Sequence, residues 1–347
     1  MSGAMDRRTV LGAGLAGAGG LLVGGLGAAG TAAAAPRRGK TLASGLSIPW
    51  GIAFLPNGNA LVSERASAEV YRVSRRGGKK RVGAVPGVRD NAGEGGLLGL
   101  ALHPRFRDNR WVYGYLSTSG DNRVVRFRYV DGRIGRPQVV LAGIPTAGIH
   151  NGGRLTFGPD GLLYVSTGDA AERDLAQDRD SLAGKVLRIT PAGDVPAGNP
   201  FGSPIWTWGH RNVQGLAFDG KGRLWATELG ERTRDELNRV VKGHNYGWPV
   251  VEGGDGKGGF HDPFVTWSPT STCSPSGLAI AKGKAWVGAL QGECLFSVKL
   301  NEPNRRRTRR HLAGTFGRVR TVERAPDGSL WVTTSNGTDD RVVRVLL

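Results

Sequence analysis

Cysteine is almost absent from this sequence: there are two in 347 residues, Cys273 and Cys294. That excludes a disulfide-dense miniprotein and a zinc module with four cysteine ligands. Acidic residues are scarce beside basic ones, 29 against 47, which leaves a net charge of +18. Long uninterrupted helix-forming stretches are also missing. Glycine supplies 57 residues, roughly twice its usual share, and each interior glycine costs a helix about 1 kcal/mol against alanine. Beyond the first 35 residues no apolar run is long enough to span a bilayer. The hydrophobic fraction is nonetheless 39%, enough for a sizeable core and too much for a disordered chain. These absences leave a large, turn-rich, mostly β protein.

Residues 1–35 read as an address. Arg7-Arg8 precedes an apolar Gly/Ala/Leu run that ends in small residues. This is the order of an export signal, of the twin-arginine type, with cleavage expected near Ala33–Ala35. Residues 36–347 are then a single domain with no membrane insertion after cleavage. In an oxidising compartment Cys273 and Cys294 are expected to form a disulfide.

One phrase recurs through the rest of the chain: a small-apolar strand, a glycine turn, then a strand with an aromatic and β-branched residues. It is seen at Trp50–Val62, Leu97–Tyr113, Arg154–Val165, Gln214–Ala226, Ser276–Val287 and Arg320–Val332. Period-2 strands flanking Pro-Asp-Gly or Asn-Gly turns are β-hairpins. Six copies, with further strands such as Val70–Val73 and Val186–Ile189 to complete each unit, predict an all-β fold: a six-bladed β-propeller with four-stranded antiparallel blades. Trp225, Trp286 and Trp331 are expected to pack between blades.

A propeller gathers loops around its axis, so polar residues flanking the inner strands converge. Three clusters stand out. His150-Asn151-Gly152-Gly153-Arg154 lies at one end of a hairpin and Asp169 at the other, an arrangement that suits a general base and its orienting carboxylate. Trp208-Gly209-His210-Arg211-Asn212, with Gln214, enters the fourth unit. Arg318 and Arg320 alternate on one strand and so point to one side, where they repel each other unless an anion lies between them.

These residues resemble the soluble pyrroloquinoline-quinone-dependent aldose and glucose dehydrogenases, the glucose/sorbosone dehydrogenase family. The likeness is carried by Gly93-Glu94-Gly95-Gly96-Leu97-Leu98-Gly99-Leu100, His150 with Gly153-Arg154-Leu155, Gly209-His210-Arg211-Asn212-Val213-Gln214-Gly215, and Asp235-Glu236-Leu237-Asn238 leading to Gly243-His244-Asn245-Tyr246-Gly247-Trp248-Pro249. It implies that His150 takes the proton of a sugar C1 hydroxyl, that Asp169 orients it, and that Arg211 and Asn212 contact the quinone and the reacting oxygen. It implies that Glu94 faces the site and that Arg318 and Arg320 hold the cofactor carboxylates. The backbone carbonyls of Gly230 and Glu231 would hold a calcium ion, Ca2+, that polarises the quinone carbonyl, with a second calcium at Glu236 and Tyr246. Three positions depart from the family pattern. A lysine that pairs with the cofactor is replaced by Gln291, a carboxylate before the histidine by Ile149, and a polar residue before the calcium carbonyls by Leu229.

The expected activity is oxidation of an aldose or related alcohol at C1 to the lactone, with an external electron acceptor. Two other readings stay open. A calcium-dependent propeller lactonase would need metal-binding carboxylates at the axis. An exported binding propeller would keep the scaffold without the cofactor. The basic runs Arg305–Arg310 and Arg75–Arg81 lack interleaved aromatics, which argues against nucleic acid. They predict weak, salt-sensitive attraction to an anionic cell-envelope surface.

Overall fold

The computed structural model describes residues 35–90, 93–254, 256, 258–301 and 308–347. The expected export segment, all but its last residue, and much of the 305–310 basic run lie outside the described residues. Alternating small and β-branched residues form six antiparallel sheets arranged as a six-bladed β-propeller. Blade 1 is built from Pro49–Phe54, Ala60–Glu64, Glu69–Val73 and Lys79–Ala84. Blades 2 to 5 follow the same order in residues 97–144, 155–208, 213–267 and 275–311, and blade 2 carries an extra two-residue strand, Arg133–Ile134.

Blade 6 closes the ring. Its three inner strands, Val319–Arg324, Leu330–Thr334 and Asp340–Leu346, come from the C-terminal end. Its outermost strand is Arg37–Leu46, antiparallel to Asp340–Leu346 with Arg37 opposite Leu346. The two ends of the described chain are thus stitched into one sheet, a pairing that the repeat does not mark. The turn glycines of the repeat, Gly58, Gly161, Gly222, Gly283 and Gly328, all adopt positive φ, as the hairpin turns require.

The core lies between blades, in six layers. Trp225 packs with Leu278 and Val287 between blades 4 and 5. Trp286 packs with Val319 and Val322 between blades 5 and 6, and Trp331 with Ile52 and Val62 between blades 6 and 1. The faces between blades are therefore apolar, and the second strand of each blade is buried almost throughout its length. The layer between blades 4 and 5 also holds both cysteines, and here the expected disulfide is corrected: Cys273 and Cys294 are free, buried thiols. Gly292 N–H binds the Cys273 carbonyl at 3.1 Å, while Cys294 opens a strand in register with Ala289. The Cys294 thiol faces Arg310; burial pushes it up and that guanidinium partly offsets the push.

Because each blade starts at the axis and alternates direction, three kinds of segment share one face. They are the starts of the first strands, the links from second to third strand, and the crossovers from fourth strand to next blade. On the opposite face Phe54, Leu102, Phe157, Phe218, Ile280 and Arg324, one from each blade, ring a cavity of about 410 Å³. Glu323 lines it. Burial, opposed by Arg154, pushes its carboxyl up to about 7.

Two measurements check this description. Thiol titration of the unfolded, unreduced protein should find two reactive groups, and finding none would restore the disulfide. The folded chain holds the Glu323 proton after the unfolded chain has released it, so stability falls as pH rises from the ordinary carboxyl range to about 7. Glu323→Gln should therefore gain melting temperature over the wild type between about pH 5 and about pH 8. A gap that does not change with pH would contradict it.

Candidate functional site

The loop face brings His150 and Asp169 together. Nδ1 of His150 lies 2.7 Å from Asp169 Oδ1, so that nitrogen carries the hydrogen and Nε2 is left as the acceptor. Asp169 is fully buried and accepts two more bonds, from Ala171 N–H at 2.9 Å and from Trp248 Nε1–H at 2.8 Å. His150 sits in the left-handed region at φ 59, which costs on the order of 1 kcal/mol and marks a position fixed by its surroundings. Its carbonyl crosses close over Gly168, where a Cβ would come within 1.9 Å of it. Only glycine fits there.

The other histidine of the sequence clusters is built differently. His210 Nδ1 pairs with Glu228 Oε2 at 2.8 Å and Nε2 with Thr207 Oγ1 at 2.9 Å, in full burial. Both nitrogens are committed, so His210 is structural. Glu228 also receives Arg211 N–H, and this ties the fourth-blade entry to the same carboxylate.

Arg211 and Asn212 join the histidine pair through the backbone. Asp169 N–H binds the Arg211 carbonyl at 2.7 Å, and Gly152 N–H binds Asn212 Oδ1 at 3.1 Å. The Arg211 guanidinium donates to the Leu229 carbonyl at 3.2 Å and lies 5.3 Å from the Trp248 ring. Glu94 reaches in from the entry to blade 2 and accepts His150 N–H at 3.1 Å.

Glu94 also connects this group to the arginines. Arg320 is buried and donates to Gln214 Oε1 at 2.9 Å. Burial, then the charges of Arg65, Arg318 and Arg154, with Glu94 opposing, bring its pKa down to about 9. Arg65 lies on the second-to-third link of blade 1; burial lowers its pKa and Glu94 and Asp90 act against that. Among the described residues, Nε of Arg65, Arg211 and Arg320 is buried with no hydrogen-bond partner. Buried N–H donors are rarely left so, and three charged ones on one face call for anionic acceptors.

Arg154, at the axis, is satisfied instead. It donates to the Gln214 carbonyl at 2.9 Å and to Thr321 Oγ1 at 3.2 Å, against the Trp50 ring.

Other candidates fall outside this group. Gln291 is exposed on the turn between the second and third strands of blade 5, on the same face, and is not hydrogen-bonded to the arginines among the described residues. Glu236 spends Oε1 on Gly253 N–H at 2.7 Å and Oε2 on Asn238 Nδ2 at 2.8 Å, and burial and then Glu228 push its pKa up. Tyr246 donates its hydroxyl to the Arg239 carbonyl at 2.5 Å, accepts Val241 N–H at 2.9 Å and stacks on His210. Gly230 and Glu231 lie on the second-to-third link of blade 4, with their N–H groups bound to Asp235 and Glu252.

Trp248, Arg65 and Lys185 were not singled out by sequence. Trp248 lies inside the Asn245–Pro249 motif, so its position was visible and its bond to Asp169 was not. Arg65 has no local signal. Lys185 is a buried lysine whose Nζ donates to the carbonyls of Leu175, Ala176 and Ala183, at 2.7, 3.2 and 2.5 Å. Burial lowers its pKa to about 7. It holds closed the loop that begins at Asp169.

Fold and site together place the chain among the six-bladed propeller oxidoreductases. More narrowly, it belongs to the glucose/sorbosone dehydrogenase family, whose model matches residues 46–344. It is similar to the PQQ-bound aldose sugar dehydrogenase of Streptomyces coelicolor, with 45% identity, a TM-score of 0.85, and 90% of this chain and 98% of that one covered. The aldose sugar dehydrogenase YliI of Escherichia coli is 31% identical, over 87% of this chain and 91% of the relative. Quinoprotein glucose dehydrogenase B of Acinetobacter calcoaceticus is 32% identical, over 72% of this chain and 62% of the relative.

Lys185→Met should lose about 1–3 kcal/mol, since three carbonyls lose the ammonium and, among the described residues, only that of Ala176 keeps another donor, Gly209 N–H. Denaturant unfolding measures the loss, and limited proteolysis should show new cleavage within 170–183. Unchanged stability would show that the loop does not depend on this lysine.

Proposed function

We propose that the protein oxidises an aldose sugar, or a related alcohol, at C1 to the lactone, using pyrroloquinoline quinone and calcium. The observation that carries this reading is the His150–Asp169 pair at 2.7 Å, set beside guanidinium groups whose buried Nε–H has no partner among the described residues. His150 Nε2 accepts the C1 hydroxyl proton, and Asp169 steadies the imidazolium that forms. Arg211 and Asn212 position the reacting oxygen, while the buried Trp248 ring screens Asp169 from water. When bound, the quinone would supply a two-electron hydride acceptor, calcium held by the Gly230 and Glu231 carbonyls would make it more electrophilic, and an external acceptor would take up the electrons.

The residues fit a tricarboxylate. The orphaned Nε groups of Arg211, Arg320 and Arg65 would each gain an acceptor, with Arg318 beside them, and Arg65 offers the cation that Gln291 lacks. For calcium, the Gly230 and Glu231 carbonyl oxygens suit a hard cation and lie outside the hydrogen-bond network of the described residues. At Glu236 and Tyr246 a second ion would have to share oxygens that already have partners within the protein, Gly253 N–H and Asn238 Nδ2 on the carboxylate and Val241 N–H on the hydroxyl. A lactonase would need carboxylates where this axis holds Arg154, Gln214 and Arg320. The Arg7-Arg8 segment supports export before use.

Purified protein supplied with the quinone and calcium should reduce a redox dye with aldoses. His150→Ala should lower kcat by about 10²–10⁴-fold. Arg320→Ala should weaken quinone binding about tenfold or more, followed by absorbance titration. A protein that neither binds the quinone nor reduces dye would leave the binding-propeller reading in its place.

A further inference from the structure

The link of residues 229–234 joins the second and third strands of blade 4, and its amides converge to one side. Gly230 N–H binds Asp235 Oδ1 at 3.0 Å. The next four, from Glu231, Arg232, Thr233 and Arg234, all bind one atom, Glu252 Oε1, at 2.7, 2.9, 2.9 and 3.1 Å. Four successive N–H groups around one oxygen form an anion nest, and here the chain supplies its own anion. The only cis peptides among the described residues precede Pro249 and Pro269, so every peptide of this link is trans.

In a trans peptide the C=O points opposite to the N–H of the following residue. Glu252 therefore turns the carbonyls of Gly230 and Glu231 away from itself. By the same rule Asp235 turns the Leu229 carbonyl outward, and there it meets the Arg211 guanidinium at 3.2 Å. That contact is an internal check on the direction. Asp235 is anchored in turn by Ser274 N–H at 2.8 Å. Gly230 is the residue this geometry demands, since a Cβ there would stand 1.9 Å from the Arg234 carbonyl and 2.6 Å from Glu252 Oε1.

We propose that Glu252 is the positioning residue for a calcium ion held by the Gly230 and Glu231 carbonyls. It aims the two oxygens and, from behind the same peptide units, supplies negative charge that the neutral carbonyls lack. The proposal rests on the calcium reading above. It explains how a link with no carboxylate ligand of its own can hold a divalent cation: the charge sits on the far side of the peptide planes and polarises them toward the ion.

The test uses the full chain with quinone present, and calcium itself as the probe. Calorimetry gives the calcium affinity, hydrogen exchange the protection of amides 231–234, and thermal melting the stability. Glu252→Ala should weaken calcium about 10- to 100-fold, the usual effect of losing a group that orients metal ligands, and expose the four amides. Glu252→Gln keeps an oxygen acceptor without the charge, so it should retain amide protection while still losing affinity. This second variant separates a charge role from mere loop folding, and it remains informative if Glu252→Ala fails to fold. Wild-type calcium affinity in a folded Glu252→Ala protein, or in Glu252→Gln, would overturn the proposal with the calcium reading intact. A wild type that takes up no calcium would overturn both.

Discussion

Like charges buried together must be compensated, and the loop face of this propeller is organised by that constraint. Arg65, Arg318 and Arg320 crowd within one another's field, strongly enough that burial and its neighbours bring Arg320 to about 9. A guanidinium in water stays charged far above that. Three of the surrounding Nε–H groups have no acceptor among the described residues. A fold that needed only stability would replace such a cluster with apolar side chains. On the function proposed above, the cluster is a half-site that an anion with several carboxylates would complete.

Carboxylates on the same face do the opposite work and bind inward. Asp169 fixes the imidazole and is itself held by Trp248 and Ala171. Glu228 locks His210 and the Arg211 amide. Asp235 and Glu252 collect five consecutive amides of the 229–234 link. Each acid is spent on aiming another group, so the cations are left for the ligand. Lys185 mirrors this with reversed sign, one ammonium gathering three carbonyls beneath the Asp169 loop. These devices act through backbone direction, which is why they can work from outside the reacting centre.

How much of this was legible in the sequence depended on the range of the interaction. The blades were readable because a hairpin is local: turn glycines and alternating residues declare it without reference to the rest of the chain. His150 and Asp169 were readable because one hairpin brings its own two ends together. The outer strand of blade 6 was not, since Arg37–Leu46 pairs with a partner some 300 residues away and lacks the repeat's phrase. Arg65 was missed for the same reason; it is one of 47 basic residues and only ring closure sets it beside Arg320. The cysteine pair misled differently. An oxidising compartment favoured a bond, yet Cys273 closes the turn Thr270–Thr272 while Cys294 opens a strand, and the Cys294 thiol turns to Arg310.

The central claim is that the arginine cluster and the His150 Nε2 edge form one cavity for an anionic redox molecule. A crystal structure of the protein soaked with pyrroloquinoline quinone and calcium tests it most directly. The account predicts carboxylate oxygens in hydrogen-bond contact with Arg318 and Arg320, and the His150 Nε2 edge open toward the ring system. A quinone bound elsewhere, with the Nε groups of Arg211 and Arg320 still unbonded, would contradict it.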